Sequence, residues 1–191
     1  MLNFEFYENN MQMTKQEKDF LKNKLLKFKK YLEIGSGYST IWASQFIEKI
    51  DSVECREKWY NTILDYIKNE NINNVDLYLK QPEKIAYDNG IEKWTDQVKR
   101  SDYGFLIEFK SYYNFICDLI NKNNYDIILV DGNIRADIVK FLSDTDYKGT
   151  ILVHDILPER FYLNYEIINY PGVEIVNKID SMIEMKIFKN Y

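Results

Sequence analysis

The sequence predicts an α/β fold in which one mostly parallel sheet carries helices on both faces. Three observations point to it. Short apolar runs alternate with amphipathic helical stretches, the order that builds a parallel sheet through crossover helices. A glycine-containing bend, Gly35-Ser36-Gly37, joins the first of these runs to a helix. Carboxylates stand where several runs end, which is where open α/β sheets present their ligands.

Taken in order, Thr14-Lys15-Gln16-Glu17 has the form of a capping box, so a helix is expected over Thr14 to Phe28. Leu21, Leu25 and Phe28 recur at helical spacing, which marks the basic run Lys22 to Lys30 as a solvated face. Tyr31-Leu32-Glu33-Ile34 reads as a buried strand, followed by the bend and a helix from Ser39 to Ile47. Lys49 to Glu54 is a second strand. Trp59, Ile63, Tyr66 and Ile67 stripe the next helix, and Asn71 to Asn74 turn the chain into a third strand, Val75 to Leu79. From residue 81 to 108 the pattern is polar and broken by Pro82, Gly90 and Gly104, as in a substrate lid. Phe109, Tyr112, Tyr113, Ile116, Leu119 and Ile120 share a helix face before the strand Ile127 to Val130. Ile134, Ile138, Phe141 and Leu142 form another face before Thr150 to Val153. The strands Val173 to Val176 and Met182 to Phe188 follow; in the latter, apolar and charged residues alternate as in a strand with one wet face.

The 191 residues suit a single domain, 1–191, with a core large enough to fold without staples. A composition 46% hydrophobic and 29% charged excludes a disordered chain. No apolar run approaches the roughly 18 residues of a membrane span, and Glu5 and Glu8 do not suit a secretory signal, so a cytoplasmic location is expected. Cys55 and Cys117 have neither metal nor redox spacing and are expected to be free. A net charge of -5 argues against a dominant electrostatic affinity for nucleic acid. A small-molecule substrate is expected, and a homo-oligomer stays open.

The strand ends hold the candidate chemistry: Glu33 to Gly37, Glu54, Leu79 to Gln81, Asp131 to Asn133, and His154-Asp155. Gly35 and Gly37 stand where the chain turns sharply and a ligand would approach the backbone. The third glycine of a dinucleotide fingerprint is missing, since Tyr38-Ser39-Thr40 follows, and there is no Walker lysine. Both absences lower the odds of a nicotinamide or triphosphate site. Glu54 is placed to accept hydrogen bonds from the two hydroxyls of a ribose. Asp131 and His154-Asp155 end neighbouring strands and can converge on one site. His154, the single histidine, either acts as a base near neutral pH or bonds a carboxylate and holds a loop. Arg135 either lines the pocket at these strand ends or partners Asp131.

These motifs together resemble the class I S-adenosylmethionine (SAM)-dependent methyltransferases. Glu33-Ile34-Gly35-Ser36-Gly37 resembles their first motif, Ser52-Val53-Glu54 their second, and Tyr125 to Gly132 their fourth. Continuing through Arg135, His154-Asp155, Arg160 and Tyr162, the order is similar to small bacterial and viral methyltransferase-like proteins, some linked to sugar O-methylation. The resemblance implies a Rossmann-like, seven-stranded sheet with an antiparallel last strand. It also implies SAM held by Glu33, Gly35, Ser36, Gly37, Ser39, Thr40, Glu54 and Asp131. His154, Asp131 and Asp155 would be catalytic, and Arg135, Arg160 and Tyr162 would bind a sugar or glycan. The metal-dependent O-methyltransferases suggest Mg²⁺ on Asp131 and Asp155. Tyr38 departs from a common glycine, and Leu79-Lys80-Gln81 lacks the acid that many relatives offer to adenine. The competing readings are a SAM- or nucleotide-binding module without turnover and a nicotinamide-dependent oxidoreductase.

Overall fold

The computed structural model describes residues 4–82, 87–88, 91–92, 109–156 and 172–187. The helices are α1 (Phe4–Asn10), α2 (Lys15–Leu25), α3 (Tyr38–Ala43), α4 (Glu57–Asn69), α5 (Lys110–Lys122) and α6 (Arg135–Asp144). The strands are β1 (Lys30–Ile34), β2 (Lys49–Glu54), β3 (Val75–Leu79), β4 (Tyr87–Asp88), β5 (Ile91–Glu92), β6 (Ile127–Val130), β7 (Thr150–Val153), β8 (Val173–Ile179) and β9 (Met182–Ile187). Seven strands make one sheet in the order β3-β2-β1-β6-β7-β9-β8, and β4 pairs with β5 in a small separate ribbon. Within the large sheet only β9 runs against its neighbours, β7 and β8. The chain winds outward from β1 to β3, returns to β6 on the other side of β1, and winds outward again. The carboxyl ends of β1 and β6 therefore flank the point where strand order reverses, and the crevice opens there.

Side chains that alternate along the strands split the core in two. Leu32, Ile34, Ile128, Val130 and Val153 pack against Tyr112 and Ile116 of α5 and Ile138 and Leu142 of α6. On the opposite face Tyr31, Ile50, Ile127, Leu129 and Leu152 meet Leu21 and Leu25 of α2, Trp42 of α3 and Ile63 of α4. Both faces are covered, which is why β6 and β7 are buried throughout and, Thr150 apart, apolar.

The capping box forms as the sequence predicts: Glu17 N donates to Thr14 Oγ1, and Thr14 N donates to the Glu17 carboxylate. Helix α2 ends at Leu25 rather than Phe28, because the amides of Lys29 and Lys30 turn to donate to the Asp126 carboxylate and enter β1. Helix α3 stops at Ala43, short of Ile47; the Ser44 and Gln45 side chains take the carbonyls of Ile41 and Trp42. Helix α1 has no counterpart in the sequence reading. Its seven residues are too few for a periodic signal, and it is held by tertiary packing of Phe6 and Tyr7 on Tyr38 and Tyr66. Apart from Gln81, Pro82 and the β4–β5 ribbon, the expected lid lies outside the described residues, as do Arg160 and Tyr162. No helix among the described residues is long and apolar enough to cross a membrane.

Candidate active site

The bend after β1 is built by close backbone contact. Gly35 has φ +95°, and a Cβ there would stand 2.6 Å from Gly132 N, so the exit of β1 and the exit of β6 touch where no side chain fits. Gly35 N donates to Val53 O, and Asp131 N to Ile34 O, each at 2.9 Å, which ties three strand ends together.

Glu54 is fixed by the same turn. Its carboxylate accepts from the backbone amides of Ser36 at 3.1 Å and of Cys55 and Arg56 at 2.8 Å. Burial pushes its carboxyl up from the ordinary range, and the amides of Arg56 and Cys55 oppose that shift. Trp59 Nε1 closes the turn by donating to Ser36 O.

Glu33 lies beneath the bend and is wholly buried. Ser39 Oγ donates to it at 2.5 Å, Ser52 Oγ at 3.2 Å, and the Thr40 hydroxyl donates as well. Burial raises its carboxyl to about 7; the hydroxyls of Ser39 and Thr40 work the other way, and the charge of Asp131 adds to the rise.

On the other side of the crevice, Asp131, His154 and Asp155 converge as their strand ends predict. His154 Nδ1 stands 3.0 Å from Asp131 Oδ1 and 3.7 Å from Asp155 Oδ1, while Nε2 points away, 3.4 Å from Glu17 Oε2 of α2. Burial works to lower the imidazole pKa, but the bond and charge of Asp131, with Asp155 and Glu17, raise it overall. Asp131 is held below the carboxylate range: burial opposes this, and His154 and Arg135 outweigh burial. One terminal nitrogen of Arg135 donates to Asp131 O at 2.8 Å, Asp131 Oδ1 at 3.1 Å and Asp155 Oδ2 at 3.2 Å. Two residues here hold left-handed backbone, Ile134 at φ +54° and Asp155 at φ +62°. For a β-branched residue such as Ile134 that conformation is strained, and strain of this kind gathers at functional sites.

A cavity of about 450 Å³ joins the two sides, within the range of small-molecule sites. Gly35, Ser36, Gly37, Ser39 and Glu54 line one wall, and Asp131, Arg135 and Asp155 the other. Glu33, Thr40 and His154 do not line it. Glu33 and Thr40 support the bend from below, and the His154 side chain is 4% exposed against 22% for Asp131 and 31% for Asp155. The sequence reading missed Asn10 to Met13, Cys55 and Arg56, which also line the cavity. Cys55 and Arg56 follow Glu54 directly and could have been found from it, whereas nothing local marks Asn10 to Met13.

The residues do not suit Mg²⁺. Asp131, His154 and Asp155 offer ligand atoms within 4.8 Å of one another. The Arg135 guanidinium already bridges both carboxylates, and the third donor is an imidazole, not the oxygen that Mg²⁺ prefers. The same test favours an adenosyl group. The Gly35–Gly132 contact leaves a backbone-walled cradle, and Glu54 is oriented at its edge with capacity for further hydrogen bonds.

No protein-family model matches the chain, and no curated protein matches it. Solved structures do. A methyltransferase-like protein from Silicibacter pomeroyi superposes with a TM-score of 0.70 at 17% identity, over 94% of this chain and 88% of that one. A methyltransferase from Podospora anserina bound to S-adenosylhomocysteine (SAH) gives 0.62 at 16% identity, over 97% and 86%. A tRNA (m1A58) methyltransferase from Aquifex aeolicus gives 0.56 at 13% identity, over 95% and 72%. These likenesses show the fold: the chain has the Rossmann-like architecture of class I methyltransferases.

Proposed function

We propose that this chain is a SAM-dependent methyltransferase that methylates a hydroxyl of a small polar acceptor, with a sugar or glycan as the substrate class. The observation that carries the reading is the single cavity that joins the glycine bend and Glu54 to Asp131 and Asp155. A ligand gripped at the first wall therefore presents its reactive end to the second. Glu54 would accept from the ribose hydroxyls, while Ser36, Gly37 and Ser39 would border the methionine portion. When bound, SAM supplies an electrophilic methyl carbon on a positively charged sulfur.

The chain's own residues hold the acceptor in line and receive its proton. Held between the two walls, SAM would supply that methyl group to the acceptor oxygen and would leave as SAH, its sulfur keeping the electron pair. The hydroxyl proton passes to a carboxylate, Asp131 or Asp155, and from there to solvent. Positioning supplies most of the rate, since two reactants held in one cavity gain what a bimolecular encounter lacks. Arg135 holds the two carboxylates at a fixed separation, and Arg160 and Tyr162 are the further acceptor residues of this reading.

Calorimetric titration with SAH, SAM and NADH tests it directly. Heat with the first two and none with NADH is the expected result; binding of NADH alone would end the methyltransferase reading. Asp131→Asn should lower turnover at least about 100-fold, the low end for loss of a general base, while SAH affinity stays within a few-fold.

A further inference from the structure

His154 is placed for a task other than taking a proton from the acceptor. Each ring nitrogen faces a carboxylate, so no lone pair points into the cavity: Nδ1 is hydrogen-bonded to Asp131 at 3.0 Å, while Nε2 stands 3.4 Å from Glu17 without a hydrogen bond, a contact of charge alone when the imidazole is protonated. Glu17 belongs to α2, whose start it caps. Its other oxygen accepts from both the amide and the hydroxyl of Ser181, at 2.8 and 2.7 Å. The residues just before this cap, Asn10 to Met13, wall the cavity and connect α2 to α1. At its other end the connection is anchored by Tyr7, which packs on Tyr38 and Tyr66 and donates to Glu70 at 3.1 Å. Residues 10–13 thus form a short strap along the cavity; its α2 end is held by Ser181 on Glu17 and by Thr14 on Asp180, and reaches the acceptor-side carboxylate through one imidazole.

We propose that His154 is a positioning residue: it clamps Asp131 to Glu17 and so holds the Asn10–Met13 strap in place as a wall of the ligand cavity. The clamp is geometric. Asp131 sits at the end of β6, Glu17 in the first turn of α2, and His154 at the end of β7 between them, buried on all sides. Withdrawing the imidazole leaves the buried Glu17 carboxylate without the cationic neighbour that separates it from Asp131, and the movable partner is the helix start that carries the strap.

The strap itself is independent of what the cavity binds; its effect on SAH rests on the methyltransferase reading. The test therefore has two readouts on the wild-type chain, His154→Gln, Glu17→Gln and the double variant. Hydrogen exchange of the Met11 to Lys18 amides, measured without ligand, should rise about tenfold in each single variant, ~1.4 kcal/mol of local opening, and no further in the double. SAH affinity should weaken by a similar factor, and KM for SAM should rise more than kcat falls. If His154→Gln loses its fold, Glu17→Gln alone must release the strap. Unchanged strap exchange in the folded variants would overturn the proposal, as would loss of kcat with SAH affinity intact, since that pattern belongs to a base. Failure of the wild-type chain to bind SAH while the strap still loosens would sink the methyltransferase reading and leave the clamp standing.

Discussion

Gly35 carries the sharpest constraint on any single position. Both its φ of +95° and the 2.6 Å approach of Gly132 N to a notional Cβ forbid a side chain. Gly35→Ala should destabilise the protein by about 1–3 kcal/mol, because left-handed backbone and backbone-to-backbone contact are lost together; urea unfolding measures it. Glu33 makes the opposite kind of prediction, one that depends on pH. Its folded pKa, about 7, lies above the 4.5 of a free glutamate. A group raised in this way binds its proton more tightly when folded, so its contribution is full below about 4.5 and is lost as pH rises through about 7. Glu33→Gln should remove that decline, so the difference in stability between variant and wild type grows across this window, by at most about 3 kcal/mol. Thermal unfolding at stepped pH reads the difference. Glu17 is shifted downward, acts in the reverse sense and cancels in the comparison, whereas Asp131, also shifted downward, enters the Glu33 difference through its charge.

Helix α2 shows how much a local pattern can specify. Thr14 and Glu17 form the reciprocal cap that their spacing predicts, since both bonds lie within one turn and need no distant partner. Thr14→Ala should cost about 1 kcal/mol in urea unfolding, the usual loss for such a cap. The helix also does something its spacing does not reveal, because the Glu17 side chain that caps it also reaches Ser181 and His154 from across the sheet. Helix α1 marks the other limit. Seven residues carry too little periodicity to be read, and their helix exists because aromatic rings from α3 and α4 surround it.

The molecule as a whole places its cavity at the reversal of strand order, the position that alternating strands and helices already implied. Ligand binding there should stabilise the fold by mass action. SAH at 100 times its Kd should add about 2.7 kcal/mol, an upward shift of roughly 5–10 °C in Tm for a domain of this size. NADH at equal concentration should leave Tm unchanged. A shift with NADH and none with SAH would contradict the cofactor assignment.

The glycine bend, the acid at 54 and the acidic strand ends were all legible from residue order, because a tight turn, a cap and a buried apolar strand obey rules that act over a few neighbours. Side-chain facing across the crevice was not. That Asp131 and Asp155 look into the cavity while His154 looks away follows from the left-handed turn at Asp155 and from which helix packs behind β7. That Arg135 takes the place a cation would need, and that Asn10 to Met13 complete the wall, likewise depends on contacts between segments far apart in the chain. Such contacts exist only once the sheet has assembled, and no local propensity encodes them.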